Sequence, residues 1–257
     1  MASRSDIQPD SDGWRRLSYT CRCGWIDWGH AVPRGPRKLK SQIDTERTDW
    51  PELGQLNVAL NGAPAYIVNY GQEMATAKGA IRFSTTRHWV VRKGLSLEAR
   101  RSVALGIFLN ASYEFERLQG TFPFTLVSGG RSSFSIEDLV SNLVGFYSAF
   151  NDISQARMRL ICGEVSVGES FRIWDEHLAN GLAALRNRTL TPTKFACPEC
   201  DATQSDAGFP SLFGSISAAA PGVLWVRVKH RFIDGRLVNA GRAIQVSSDG
   251  DVSARTR

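Results

Sequence analysis

The segment Cys23-Gly-Trp-Ile-Asp27-Trp-Gly-His30-Ala31 sets an acid and an imidazole inside a tryptophan-rich apolar run. Two later segments repeat the contrast. One is Ser112-Tyr-Glu114-Phe-Glu116-Arg-Leu-Gln-Gly120; the other is Ser132-Ser-Phe-Ser-Ile-Glu-Asp138-Leu-Val-Ser-Asn142-Leu-Val-Gly145. Burying such groups is costly unless they are partnered, so they are expected to meet one another, a metal or a substrate. His30 suits acid/base work or metal ligation near neutral pH, and Asp27 can orient it or serve as a second ligand. Glu114 follows Ile107 and Ala111 and precedes Leu118 at helical spacing, which predicts a carboxylate on an apolar helix face, pointing into the core. Such an acid carries a raised pKa, pairs with a cation or binds metal. Glu116 falls on a more polar face and reads as solvated or ion-paired. Asp138 and Asn142 stand one turn apart above Gly145 and Ala149, a stripe against which another backbone can pack.

These spacings predict a hydrolase-like enzyme in which Asp27, His30, Glu114, Asp138 and Asn142 converge on one cleft. His30 would be the acid/base or a metal ligand, Glu114 its partner acid/base, and Asp138 and Asn142 would orient substrate or the first-motif loop. The other reading is a non-enzymatic interaction protein whose motifs form a buried polar network. In that case Glu114 anchors a loop, His30 is structural, and Glu137 and Asp138 simply favour a helix N-terminus. No GxSxG elbow, HExxH, P-loop or GxGxxG is present. Ser132 and Ser133 have no histidine base nearby in sequence, and His88, His177 and His230 are isolated.

Cys197-Pro-Glu-Cys200 is a CxxC knuckle and Cys21-Arg-Cys23 a CxC. Cys21, Cys23, Cys197 and Cys200 together offer four thiolates to a tetrahedral structural zinc, which would staple the C-terminal part beside the first motif. Disulfides and unrelated free thiols remain alternatives. Cys162 reads as a small core residue.

The elements that must position these groups are a mixture of helices and hairpins. Leu97–Gln119 has helical periodicity ended by Gly120, and Ser135–Phe150 opens on a capping-box-like Ser135-x-x-Asp138. Phe171–Leu185 reads as a third helix. Trp14–Thr20 and Ile81–Val91 read as strands. Asn61-Gly62 and Asp234-Gly235 each mark a hairpin turn, the second joining Leu224–Val228 to Leu237–Val246. Pro33, Gly35 and Pro36 predict a loop through the basic stretch Arg34–Lys40, and Ser128–Ser133 reads as another loop. Without βαβ regularity, the expected fold is α+β: a helical core with two or three β-hairpins, a single domain over 14–247 with a Cys-rich knuckle. Residues 1–13 and 248–257 are polar and are expected to be flexible ends.

With 257 residues, 42% hydrophobic and 22% charged, the chain has the composition of a soluble globular protein. No stretch is apolar enough to span a membrane. The polar N-terminus carries no secretory signal, so the protein is expected in the cytoplasm or exported without a cleaved signal peptide. A net charge of +6 suits an anionic partner. The basic stretch lacks the interleaved aromatics of single-strand binders, which argues against nucleic acid. Charge and aromatic content favour an anionic cell-envelope polymer, such as peptidoglycan or another glycan.

At Gly24–His30, Glu114–Gly120 and Ser132–Gly145 the chain resembles a bacterial family of unknown function. That family shows Gly-aromatic-Ile-Asp-x-x-His, then a helix Glu with an aromatic-Gly end, then Ser-x-Phe-Ser-x-Glu-Asp-Leu-x-Ser-Asn-Leu-x-Gly. Lys229–Arg236 is similar to the family's C-terminal part. The family often has a His before the helix Glu, where Tyr113 stands here, and many relatives look exported. The resemblance implies a shared fold and site but no established activity.

Overall fold

Alternating apolar residues and one Asn-Gly turn build the first strands of the main sheet. The computed structural model describes residues 2–49, 57–75, 82–84, 86–119, 134–202, 208–229 and 243–255. In chain order the strands are β1 Leu17–Thr20, β2 Gly24–Asp27, β3 Val58–Leu60, β4 Ala63–Tyr70, β5 Glu73–Ala75, β6 Arg82–Ser84, β7 Arg87–Arg92, β8 Trp225–Arg227, β9 Ala243–Val246 and β10 Val252–Arg255. The helices are α1 Arg34–Thr45, α2 Leu97–Gln119, α3 Asp138–Phe150, α4 Gln155–Cys162, α5 Val167–His177 and the short α6 Pro198–Ala202. The fold is α+β, as expected, and separates into two compact units. One holds residues 1–34 and 114–215; the other holds 35–113 and 216–257.

The second unit is built on a six-stranded sheet in the order β10-β9-β3-β4-β7-β8. Asn61 and Gly62 both have positive φ (49° and 82°), the geometry that closes a two-residue hairpin between β3 and β4. β3 also pairs in parallel with β9, an arrangement no local pattern announces. Val58, Leu60, Ile67, Val90, Val226, Ile244 and Val246 form its apolar core. Gly106 in α2 allows a close approach, because an added Cβ would lie 2.4 Å from the Ala219 carbonyl oxygen. β10 pairs with β9, so the stretch from 248 is not simply a loose end as expected; it includes an edge strand. The basic stretch after Pro33 is helical too. Pro36 falls in the first turn of α1, where a missing N–H costs nothing, and Leu39 and Ile43 are buried. The turn expected at Asp234-Gly235 and the loop at 128–133 lie outside the described residues, but the pairing expected of Leu224–Val228 with Leu237–Val246 is corrected: β8 pairs with β7, whereas β9 lies between β3 and β10.

The first unit is mainly helical around the β1–β2 hairpin. Leu17, Tyr19, Trp25, Ile136, Ile173, Trp174 and Leu182 pack together in its core, and Ile7 joins them with no exposed surface. The expectation of a flexible 1–13 is corrected there: burial of Ile7 and the Arg4–Asp175 ion pair hold that segment down. The helix expected over 171–185 runs instead from Val167 to His177, started by the Ser166 hydroxyl, which accepts the Glu169 N–H. The chain then turns through Gly181, at φ 78°. α4, missed in the sequence, is capped by Ser154 at one end and by left-handed Gly163 at the other.

Candidate functional site

After β2 the chain must turn sharply, and Asp27 closes the turn. Its Oδ1 accepts the Gly29 N–H at 2.8 Å and the His30 N–H at 3.3 Å, while its backbone oxygen accepts the N–H groups of His30 and Ala31. Arg16 forks onto the same carboxylate, from Nε at 3.2 Å and from Nη2 at 3.0 Å. The Asp27 amide donates to Ser141 Oγ on α3. The turn therefore fixes where His30 emerges. α3 lies alongside because Gly145 has no side chain: a Cβ there would meet the Ala31 backbone at 3.1 Å. The small-residue stripe is thus used for close backbone packing.

His30 Nδ1 faces Asp138 Oδ1 at 3.4 Å. Asp138 Oδ2 accepts the Ser135 N–H at 2.8 Å, one half of the predicted capping box. The other half does not form, since Ser135 Oγ is buried without a partner among the described residues. Helix α3 accordingly begins at Asp138 rather than at Ser135. Asn142 is half-buried on α3.

The buried position expected of Glu114 is taken by Glu116. Glu114 is half-buried, whereas Glu116 is 2% exposed and hydrogen-bonds Asp138. Its Oε2 accepts the Phe134 N–H at 2.8 Å. Apolar spacing misassigned the face because Val103–Phe108 are buried all round the helix, so no single stripe sets its rotation. The signal that could have found Glu116 is Ser112, one turn earlier, which is buried on the same face. Glu137 also went unassigned; it is buried, with Oε2 unpartnered among the described residues.

One imidazole thus sits above three acids, with Asp27 behind it. His30 is 37% exposed in its side chain, against 6% for Asp138 and none for Asp27. Desolvation opposes a charged imidazole at His30. The Asp138 hydrogen bond and the fields of Asp27, Asp138 and Glu137 outweigh it and raise the pKa to about 9. Burial pushes the Glu116 carboxyl up to about 8, helped by the neighbouring Asp138 charge. Burial and Asp138 push Glu137 up as well. Asp27 is also desolvated, but His30, Arg16 and the Gly29 amide hold its pKa below the ordinary carboxylate range. The site thus combines an imidazole and a carboxyl whose pKa values are both raised, the first by neighbouring acids and the second by burial.

The cysteines gather in the same unit but not as expected. Cys21 and Cys200 are joined, Sγ to Sγ, at 2.14 Å, and Cys197 Sγ lies 2.7 Å from Cys200 Sγ. These three sulfurs lie within 4.8 Å of one another, a cluster that could hold a metal. Cys23 is corrected out of the set: its sulfur faces Cys162 at 2.7 Å, both side chains buried. The turn that carries Cys23 is held against the end of α4, where the Cys21 and Arg22 amides donate to the Gly163 and Cys162 carbonyls. Residues 21–23 form the turn between β1 and β2, where strand alternation does not hold, so Cys21 and Cys23 face different partners.

No helix among the described residues is long and apolar enough to cross a membrane. No protein-family model matches the chain, and no curated protein or solved structure matches it significantly.

Proposed function

We propose that the protein is a hydrolase-like enzyme in which His30 is the acid/base at an anionic cell-envelope polymer. The observation that carries this reading is the exposure of His30 above a cluster of buried acids. Buried carboxyls fix and charge an imidazole whose other nitrogen is left for substrate, the arrangement general acid catalysis needs. With Nδ1 toward Asp138, His30 donates from Nε2 to the leaving group and takes a proton back as water adds. Asp138 stabilises the imidazolium, and protonated Glu116 keeps a second negative charge away from Asp138 at neutral pH. Asp27 is a positioning residue that shapes the turn. The excess of basic residues suits an anionic substrate.

Purified protein is incubated with peptidoglycan, anionic glycans and peptides beside His30→Ala and Glu116→Gln. Bond cleavage lost in His30→Ala, with an unchanged melting temperature, supports the reading. Full cleavage by His30→Ala overturns it.

A specific observation favours a second reading, a fold-fixing polar network in an interaction protein. Asp27, Glu116 and Asp138 each spend a carboxylate oxygen on a backbone N–H. In either case we infer that Cys21, Cys197 and Cys200 supply three thiolate ligands to a zinc ion when reduced. The Cys200 amide already donates to Cys197 Sγ at 3.4 Å, as in a metal knuckle.

A further inference from the structure

A second candidate site lies in the same unit, a pocket lined by Pro9, Gly13, Trp14, Arg15, Arg159, Glu164, Ser166 and Val167. Its cavity of about 410 Å³ has the size of a small-ligand site. Arg15 Nη2 reaches Glu164 Oε1 at 2.9 Å, and Arg159 Nη1 bonds the same oxygen. Two guanidiniums therefore share one carboxylate oxygen, leaving the lining one positive charge in excess. Both are mostly buried, with side-chain exposures of 11% and 14%. Arg15 Nη1 has no partner among the described residues. Arg159 is held from behind by the Trp28 ring, 4.4 Å from the guanidinium carbon, and by the Arg15 carbonyl. The pair is thus pre-organised: Glu164 neutralises one of the two charges, and the second is left for a ligand anion.

The remaining walls suit a sugar ring. Trp14 is 40% exposed, and Gln155 fixes its edge by accepting the indole N–H at 3.0 Å. A rigid, half-exposed indole offers an apolar face for the C–H side of a pyranose. Glu164 Oε2 is left to accept from ligand hydroxyls. Gly13 opens space beside Trp14, with nothing within 4 Å of the position a Cβ would take.

We propose that this cavity binds an acidic sugar: an anionic substituent between Arg15 and Arg159, the ring on Trp14, and a hydroxyl on Glu164. The site goes beyond the His30 reading and does not depend on it.

Calorimetric titration of the full chain with glucuronate, glucose and a hexose phosphate tests the proposal. Glucuronate binds with a Kd of about 1 mM. Glucose binds at least about tenfold more weakly, because the charge-assisted bonds are lost. Trp14→Ala and Arg15→Lys each weaken glucuronate roughly tenfold with an unchanged circular dichroism spectrum, the second because Lys cannot fork. His30→Ala leaves binding intact, which separates this site from the proposed catalytic one. Tighter binding of the hexose phosphate assigns the anion to a phosphoester, and tighter binding of glucuronate assigns it to a carboxylate. Equal affinity for glucose and both charged sugars, no saturable binding, or affinity unmoved by both Trp14→Ala and Arg15→Lys overturns the proposal.

Discussion

Phe134 and Glu116 are tied by a 2.8 Å hydrogen bond from the Phe134 amide to Glu116 Oε2. Phe134 has φ 57°, a left-handed conformation that a bulky residue rarely adopts. One buried carboxyl therefore holds a strained residue at the entrance to α3 and touches the acid that faces His30. The bond joins two of the three motifs on which the sequence reading rests.

Glu116→Ala removes the acceptor and leaves the buried Phe134 amide unsatisfied. The expected loss is about 2 kcal/mol in urea unfolding. Glu116→Gln, which keeps a carbonyl acceptor, costs less. Glu114→Gln changes stability by no more than about 0.5 kcal/mol, since that side chain is half-buried. A larger effect at 114 than at 116 would reverse the assignment of the two glutamates.

His30 and Glu116 both titrate higher in the folded chain than their ordinary values of 6.5 and 4.5. The folded state binds the extra protons, so His30's contribution is complete below about 6.5 and disappears as pH rises through about 9. Glu116's contribution is complete below about 4.5 and is lost as pH rises through about 8. Thermal melts should show wild type losing stability relative to His30→Gln between about pH 6.5 and about pH 9. Glu116→Gln should flatten the loss at lower pH. Parallel melting curves at all pH values would contradict both shifts.

Asp27→Asn keeps the size of the side chain but loses the charge that Arg16 and two backbone amides share. The predicted cost is about 2–3 kcal/mol in chemical unfolding. The His30 imidazole, monitored by NMR titration, should also move to lower pKa, because Asp27 is one of the charges that raise it. An unchanged His30 titration would remove Asp27 from the site.

Under reducing conditions with added zinc, mass spectrometry should find one metal per chain. Cys197→Ser should lose it, whereas Cys23→Ser should retain it, because Cys23 faces Cys162 instead. Without reductant, peptide mapping should recover the Cys21–Cys200 link, which joins positions 179 residues apart. Its reduction in the absence of metal should lower stability by several kcal/mol, on the order of 4, as expected for a long closed loop. Retention of zinc by Cys197→Ser would exclude the three-sulfur site.

The amino-acid sequence by itself determined the α+β class, the span of α2, the Asn61-Gly62 hairpin and the use of Gly145 as a contact stripe. Each follows from local rules: periodicity, turn chemistry and side-chain size. It also singled out Asp27, His30 and Asp138, because polar groups inside apolar runs need partners. Only the tertiary structure decided which glutamate on α2 turns inward, since a helix enclosed on several sides carries no single apolar stripe to fix its rotation. Long-range packing likewise split the cysteines, paired β3 with β9 and buried Ile7. Those contacts join residues far apart in sequence, and their energies depend on neighbours that no local spacing specifies.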